Sequence, residues 1–287
     1  MKAERIPVII PAYNSEKTIV QLLDSLAKDY SEVRPIVAVN GSKDHTAELA
    51  RKTGAEVLDS EKKGKLPAIQ DALEYLGEAA LKPLIIIDSD SRPISRNYAA
   101  TMIEPFWKSG DNPAGRAGAV KYRGIGDEHG LDRLKPFIFT IASKKLANDG
   151  AKPNFNYQNS GSWIGPNAQT LYGSNQSFYL KEPEILEAEL NLPNIWPAED
   201  VALARVVDNI FTRAKYGANY ATINNPRATI LSPIASGSLH MREYIGTSSE
   251  EQQYKIDARY SATRPKAAIA LTAQWIDNYV AKRYAEK

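Results

Sequence analysis

Leu84-Ile85-Ile86-Ile87-Asp88-Ser89-Asp90, with Pro83 in front and Ser91-Arg92-Pro93 behind, is the stretch on which the reading of the fold turns. An unbroken apolar run of this kind suits a strand covered on both faces, as in a parallel sheet between helix layers. Two aspartates follow where that strand leaves the core. Ligands of open α/β sheets gather at the carboxyl ends of strands. Paired carboxylates there can hold a hard divalent cation, and the cation can hold phosphates.

Upstream, strand and helix signals alternate. Pro7 to Ile10 is strand-like, and Pro11-Ala12-Tyr13-Asn14 is expected to break it. Ser15 is placed to cap a helix that carries Ile19, Leu22, Leu23 and Leu26 at helical spacing. Ile36 to Val39 reads as a second strand, Asn40-Gly41-Ser42 as a turn, and Ala47, Leu49 and Ala50 as a helix ending near Gly54. Glu56-Val57-Leu58 is a short third strand. Beyond Lys62-Lys63-Gly64-Lys65, Ile69, Ala72, Leu73 and Leu76 share one face of a third helix. This order predicts a parallel sheet with right-handed crossovers.

The rhythm weakens beyond residue 110. Leu131 to Ala147 reads as a helix started or kinked at Pro136, and residues 148–169 as a long loop or ordered lid. Leu180 to Leu190 and Val201 to Phe211 are further helix candidates. From Lys266 onward, Ile269, Ala273, Ile276, Val280 and Tyr284 mark an amphipathic C-terminal helix. That helix is expected to pack on the body or on a second subunit, giving a homodimer, in preference to peripheral membrane contact. The expected division is 1–110, 111–245 and a helical extension over 246–287.

Bulk properties narrow the function classes. The chain has 287 residues with 43% hydrophobic content, enough for one large α/β domain. Lys plus Arg (36) nearly balances Asp plus Glu (34), and a net charge of +2 does not point to a nucleic-acid binder. The absence of cysteine excludes disulfides, thiolate metal sites and cysteine nucleophiles. Neither a signal-peptide core nor a membrane span is read, so a soluble cytoplasmic protein is expected, with the inner face of the membrane as the alternative station.

Loops after the four early strands should open on one edge of the sheet. They contain Tyr13-Asn14, Asn40-Gly41-Ser42-Lys43-Asp44, Lys63-Gly64-Lys65 and Asp88-Ser89-Asp90. Together they supply an aromatic face, polar groups, cations and a carboxylate pair, a set suited to a base, a sugar and a diphosphate–metal unit. A nucleotidyltransferase would show a glycine-rich basic loop after the first strand, where this chain has Pro-Ala-Tyr-Asn.

Four of these segments resemble the nucleotide-binding half of family 2 glycosyltransferases, which have the GT-A fold. They are Val8-Ile9-Ile10-Pro11-Ala12-Tyr13-Asn14, Asn40-Gly41-Ser42-Lys43-Asp44-His45-Thr46, Gly64-Lys65 and Ile87-Asp88-Ser89-Asp90, in the family order over roughly residues 5 to 110. Further on, Tyr172-Gly173-Ser174-Asn175-Gln176-Ser177 resembles the family's acceptor-side glycine segment, and Trp196-Pro197-Ala198-Glu199-Asp200 its Glu-Asp motif. The resemblance implies an α/β GT-A (Rossmann-like), mostly parallel central sheet flanked by helices, with a less regular C-terminal acceptor side; it makes 1–110 the nucleotide-sugar-binding half of a single domain and 111–245 its acceptor-binding and catalytic half.

It also implies roles. Pro11, Ala12, Tyr13, Asn14, Asn40, Lys65, Asp88 and Ser89 fall to the nucleotide, with Tyr13 stacked on the base and Lys65 facing the diphosphate. Asp88 is assigned to ribose or metal-bound water, and Asp90 to Mn2+ or Mg2+. Asn40 stands where the family usually has an aspartate, and Val39 precedes it where a second is common. An amide offers donor and acceptor where a carboxylate only accepts, so a UDP-sugar is the first expectation and a GDP- or dTDP-sugar stays open. Asp200 is the implied general base of an inverting transfer, with Glu199 beside it and Asn175 on the acceptor. The acceptor class is a carbohydrate or glycolipid, as in bacterial polysaccharide or glycolipid synthesis. A retaining GT-A transferase and a degenerate nucleotide-sugar-binding protein are the alternatives. Among the histidines, His45 reads as solvated, His129 has no defined role, and His240 is either a metal ligand or structural.

Overall fold

The computed structural model describes residues 5–29, 32–60, 63–108, 115–123, 175–180, 183–192 and 223–233. Strand β1 (Ile6–Ala12) leads to helix α1 (Ile19–Asp29), β2 (Val33–Asn40) to α2 (Thr46–Lys52), and β3 (Glu56–Ser60) to α3 (Lys65–Leu76). A 3-10 turn (Gly77–Leu81) then feeds β4 (Leu84–Ile87). The two-residue β5 (Arg92–Pro93), α4 (Tyr98–Lys108), β6 (Gly115–Arg123), β7 (Asn175–Phe178), α5 (Pro183–Leu190) and β8 (Ile223–Pro233) follow.

These strands form one 8-stranded sheet in the order β3-β2-β1-β4-β7-β6-β8-β5. Pairing among β1 to β4 is parallel, as the alternation predicts. Beyond β4 the sheet is mixed: β7 runs antiparallel to both β4 and β6, β8 parallel to β6, and β5 antiparallel to β8.

Residue parity along the strands builds two cores. Ile9, Ile36, Ala38, Leu84 and Ile86 face α3 and α5, meeting Leu66, Ile69, Leu73, Ile185 and Ala188. Val8, Ile10, Val37, Val39, Ile85 and Ile87 face the other way, onto Ile19, Leu22 and Leu26 of α1, Ala50 of α2 and Tyr98 and Met102 of α4. Each fully buried isoleucine or leucine contributes about 1.5–3 kcal/mol, so the central strands must be apolar on both faces. A charge at Ile36 or Ile85, both 0% exposed, would disrupt a helix–sheet contact.

Several sequence expectations shift at the element ends. Pro11 and Ala12 do not break β1; the strand runs through both, paired with Ala38 and Val39. The break comes at Asn14, whose φ of 47 turns the chain. Ser15 is not a side-chain cap. Its carbonyl accepts the N–H groups of Thr18 and Ile19 at 3.0 and 2.9 Å, while its hydroxyl points elsewhere, as described below. Asn40 is the last residue of β2 instead of the first of a turn. The predicted helix over Leu180 to Leu190 begins at Pro183, a residue tolerated where helix N–H groups lack partners anyway.

One packing feature has no counterpart in the sequence reading. Glu189 is 1% exposed, and neither of its carboxyl oxygens has a hydrogen-bond partner. Burial pushes its carboxyl well above the ordinary value and so favours the neutral form. Beside it the two N–H groups of the Gln70 amide are shared among the carbonyls of Glu189, Leu190 and Leu192, whose oxygens lie 2.9, 3.2 and 2.8 Å from Nε2, closing the end of α5 against α3. The candidate helices over 131–147 and 201–211, the segment 148–169 and the C-terminal helix lie outside the described residues. Among the described residues no helix is long and apolar enough to cross a membrane.

Candidate functional site

The strand order reverses at β1, which has β2 on one side and β4 on the other. In open α/β sheets such a reversal leaves a crevice at the carboxyl ends of the two diverging strands. Here the loops after β1 and β4 meet: Ser15 Oγ and Ser89 Oγ are 2.7 Å apart. The Ser15 hydroxyl donates to the Tyr13 carbonyl at 3.2 Å. Either hydroxyl can donate across the crevice.

A second clasp joins the loops after β1 and β2. Asn14 accepts the Lys43 N–H at Oδ1 (2.9 Å) and donates its own N–H to Ser42 Oγ (2.9 Å). Asparagine tolerates the left-handed backbone this requires. Asp44 extends the clasp: Oδ2 accepts the Glu16 N–H at 3.1 Å, and Oδ1 accepts the Thr46 N–H at 3.0 Å and the Thr46 hydroxyl. Thr46 Oγ1 in turn accepts the Ser15 N–H at 2.7 Å. Burial pushes the Asp44 carboxyl up, but hydrogen bonds led by the Thr46 hydroxyl outweigh it and hold it below the ordinary value. Asp44, Thr46, Ser15 and Ser42 were not singled out as site residues from the sequence. An aspartate two residues before a helix start was the available signal for Asp44; the long-range partners left none.

Three predicted residues lie on the α3 side of the crevice. Asn40 continues the parity of Ile36 and Ala38, is 3% exposed, and its Oδ1 lacks a hydrogen-bond partner. A buried amide oxygen left so costs about 1–3 kcal/mol unless a ligand donor meets it. Asp88 continues the parity of Leu84 and Ile86. Lys65, the first residue of α3, reaches it with Nζ 2.6 Å from Oδ1. Gly64 precedes the helix at φ 126, a backbone open to glycine and strained for other residues, and brings the lysine and the helix N-terminus over the strand end.

Asp90 lies two residues beyond Asp88. Its carboxyl is pushed up to about 6, first by the loss of solvent around it and then by the negative charge of Asp88, with Lys65 acting in the opposite sense. The residue itself is nevertheless exposed, so its carboxyl can be reached from water. The Ser91 hydroxyl gives it one long contact, 3.4 Å. Tyr13 is half-buried and Asn14 exposed at the same edge. β7 runs antiparallel to β4 with Asn175 opposite Ile87, which sets the backbone of the predicted acceptor residue next to Asp88. Pro11 and Ala12 are buried in β1, and Ala12 packs in the core facing α1.

Among the described residues no group of three or more carboxylate or histidine side chains is placed to hold a metal. Asp88 and Asp90 offer a hard, all-oxygen pair, the donor type that suits Mg2+ and Mn2+. Glu199, Asp200, His240 and His129 lie outside the described residues. His45 is exposed and pairs with Glu48 at 3.2 Å, as a solvated histidine would.

Residues 8–112 match the model of glycosyl transferase family 2. That span holds every site residue located above except Asn175. Among curated proteins, 4,4'-diaponeurosporenoate glycosyltransferase of Staphylococcus haemolyticus is 48% identical over 56 residues, 20% of this chain and 15% of that protein. The Staphylococcus aureus (strain USA300) protein of the same name is 33% identical over 110 residues, 37% of this chain and 29% of that protein. The matched region thus spans less than a third of those relatives' length. Among solved structures, a mannosyltransferase from Pyrobaculum calidifontis in complex with GDP-Man and Mn2+ superposes over 99% of this chain and 76% of its own, with TM-score 0.56 and 16% identity. That likeness is one of fold, and the fold is GT-A.

Proposed function

We propose that this protein is a nucleotide-sugar-dependent glycosyltransferase that moves a sugar from a nucleoside-diphosphate donor to an acceptor hydroxyl. The observation that carries the reading is the cluster at the β1–β4 crevice. A half-buried Tyr13, a buried Asn40 with an unmet acceptor, Lys65 at a helix N-terminus and the Asp88–Asp90 pair lie along one sheet edge.

Each group suits one part of such a donor. The Tyr13 ring offers a stacking face for a base, and the unmet Asn40 oxygen accepts a base N–H. Lys65 and the N-terminus of α3 favour phosphate oxygens. Asp88 has a second carboxyl oxygen for a ribose hydroxyl, and Asp90, held partly protonated near pH 6, ionises fully when a cation approaches. Mn2+ or Mg2+ at this pair would offset charge on the departing nucleoside diphosphate. The solved mannosyltransferase of the same fold, in complex with GDP-Man and Mn2+, supports this choice of cofactor and donor class. On the acceptor side, the sequence motif at Glu199 and Asp200 supports Asp200 as the base that takes the hydroxyl proton in an inverting transfer, with Asn175 on the acceptor.

The test is release of nucleoside diphosphate from a panel of UDP-, GDP- and dTDP-sugars with and without Mn2+, on carbohydrate and glycolipid acceptors. Turnover with at least one donor that stops on chelation and in Asp90→Ala is expected. Tight nucleotide binding without turnover on any acceptor would sink the enzyme reading in favour of a binding protein. Undiminished turnover in Asp200→Asn would remove that residue as base, and anomeric analysis of the product would decide between inversion and retention.

A further inference from the structure

We propose that Lys65 is a resident cation that occupies the two-aspartate site until a nucleoside diphosphate draws it away, making metal binding conditional on donor binding. The inference rests on the donor-site reading above. Its basis is geometric: Lys65 Nζ lies 2.6 Å from Asp88 Oδ1, and both side chains are largely shielded, at 23% and 30% exposure. A positive charge is therefore already paired with Asp88, two residues before Asp90. A divalent cation arriving alone must compete with it, and competition between like charges at this range is costly where water is partly excluded.

A diphosphate changes the balance. Lys65 is the first residue of α3, so its stem is anchored at the helix N-terminus that itself favours anions. Phosphate oxygens arriving there offer the ammonium a new partner. Asp88 and Asp90 are then left as an anionic pair with phosphate oxygens beside them, a site that suits a divalent ion. By linkage, nucleotide must strengthen metal binding by the same factor that metal strengthens nucleotide binding. The lysine adds to this coupling beyond the direct metal–phosphate contact.

The experiment titrates MnCl2 alone, and then MnCl2 with UDP or GDP, into the full chain, reading free Mn2+ by electron paramagnetic resonance. Lys65→Met is expected to bind Mn2+ without nucleotide at least about fivefold more tightly than wild type, with nucleotide enhancing metal binding by a smaller factor. Lys65→Arg, which keeps the charge, should stay close to wild type. Equal or weaker nucleotide-free Mn2+ binding in a folded Lys65→Met would overturn the proposal. If Lys65→Met does not fold, Lys65→Gln serves, judged by the same outcomes. Should wild type bind neither Mn2+ nor either nucleotide, the donor-site reading itself fails. Should it bind both while the lysine variants leave the coupling unchanged, only the role of Lys65 falls.

Discussion

Two aspartate-bearing loops leave the same edge of the sheet and are used in opposite ways. After β2, Asp44 spends both carboxyl oxygens on the protein, accepting from the Glu16 N–H, the Thr46 N–H and the Thr46 hydroxyl, and is held below its ordinary pKa. After β4, Asp90 has one long hydroxyl contact and a like charge for a neighbour, and is pushed up to about 6. The first loop is ionised because the fold needs the charge; the second is ionised at the fold's expense. An exposed carboxyl with a single long side-chain donor, beside another carboxyl, marks a place suited to a ligand. Glu189 sharpens the contrast, since it too is raised, but by burial alone and in the core.

The contrast breaks first if Asp90 proves structural. Asp90→Asn is expected to lower metal-dependent transfer by about a hundredfold or more while thermal unfolding stays at or above the wild-type temperature; a matching loss of stability would erase the distinction. Next in size, Glu189→Met should stabilise the protein by about 1–3 kcal/mol without changing activity. Because a raised folded pKa keeps Glu189 protonated while the unfolded chain ionises, the gain should grow as pH rises above about 4.3. Denaturant midpoints across pH measure it.

Asp44→Ala should cost about 0.5–2 kcal/mol through the lost helix-start and cross-loop bonds. The Asp44 pKa is depressed, so its contribution is present above about pH 4 and lost as pH falls through the folded value. Wild type and variant should therefore converge in acid, and parallel curves would show that the charge is not what stabilises. The smallest effect is on stability in Asp90→Asn. Relief of a carboxyl raised from the ordinary value to about 6, discounted for its open surface, gives about 1 kcal/mol or less at pH 7, vanishing below about pH 4. A destabilised variant at pH 7 would reverse the sign of the comparison.

Legibility followed the range of the interactions. The centres of three strands, Pro7 to Ile10, Ile36 to Val39 and Leu84 to Ile87, were readable because a strand segment covered on both faces must be apolar. The placement of Asn40 and Asp88 at strand ends, and of Lys65 in the segment between β3 and α3, was readable for the same reason. The exact breaks were not: Pro11 gives up an N–H without ending the parallel pairing, and the bend waits for Asn14. Ser15 reads as a cap because local rules favour it, yet its hydroxyl is claimed by the Tyr13 carbonyl and by Ser89, 74 residues away. The mixed side of the sheet was equally hidden, because β7 joins β4 through backbone pairing that leaves no periodic mark.

What the sequence determined by itself was the alternation of apolar strands and helices, and hence a parallel sheet with its polar loops on one edge. Burial requires that pattern, so the pattern reports it. Tertiary structure decided which of those loops touch. It joined Asn14 to Lys43 and Ser42, set Lys65 against Asp88, left the Asn40 oxygen without a partner and raised Asp90 beside a like charge. Those outcomes depend on distances between residues far apart in the chain, and charge and hydrogen bonding act through distance.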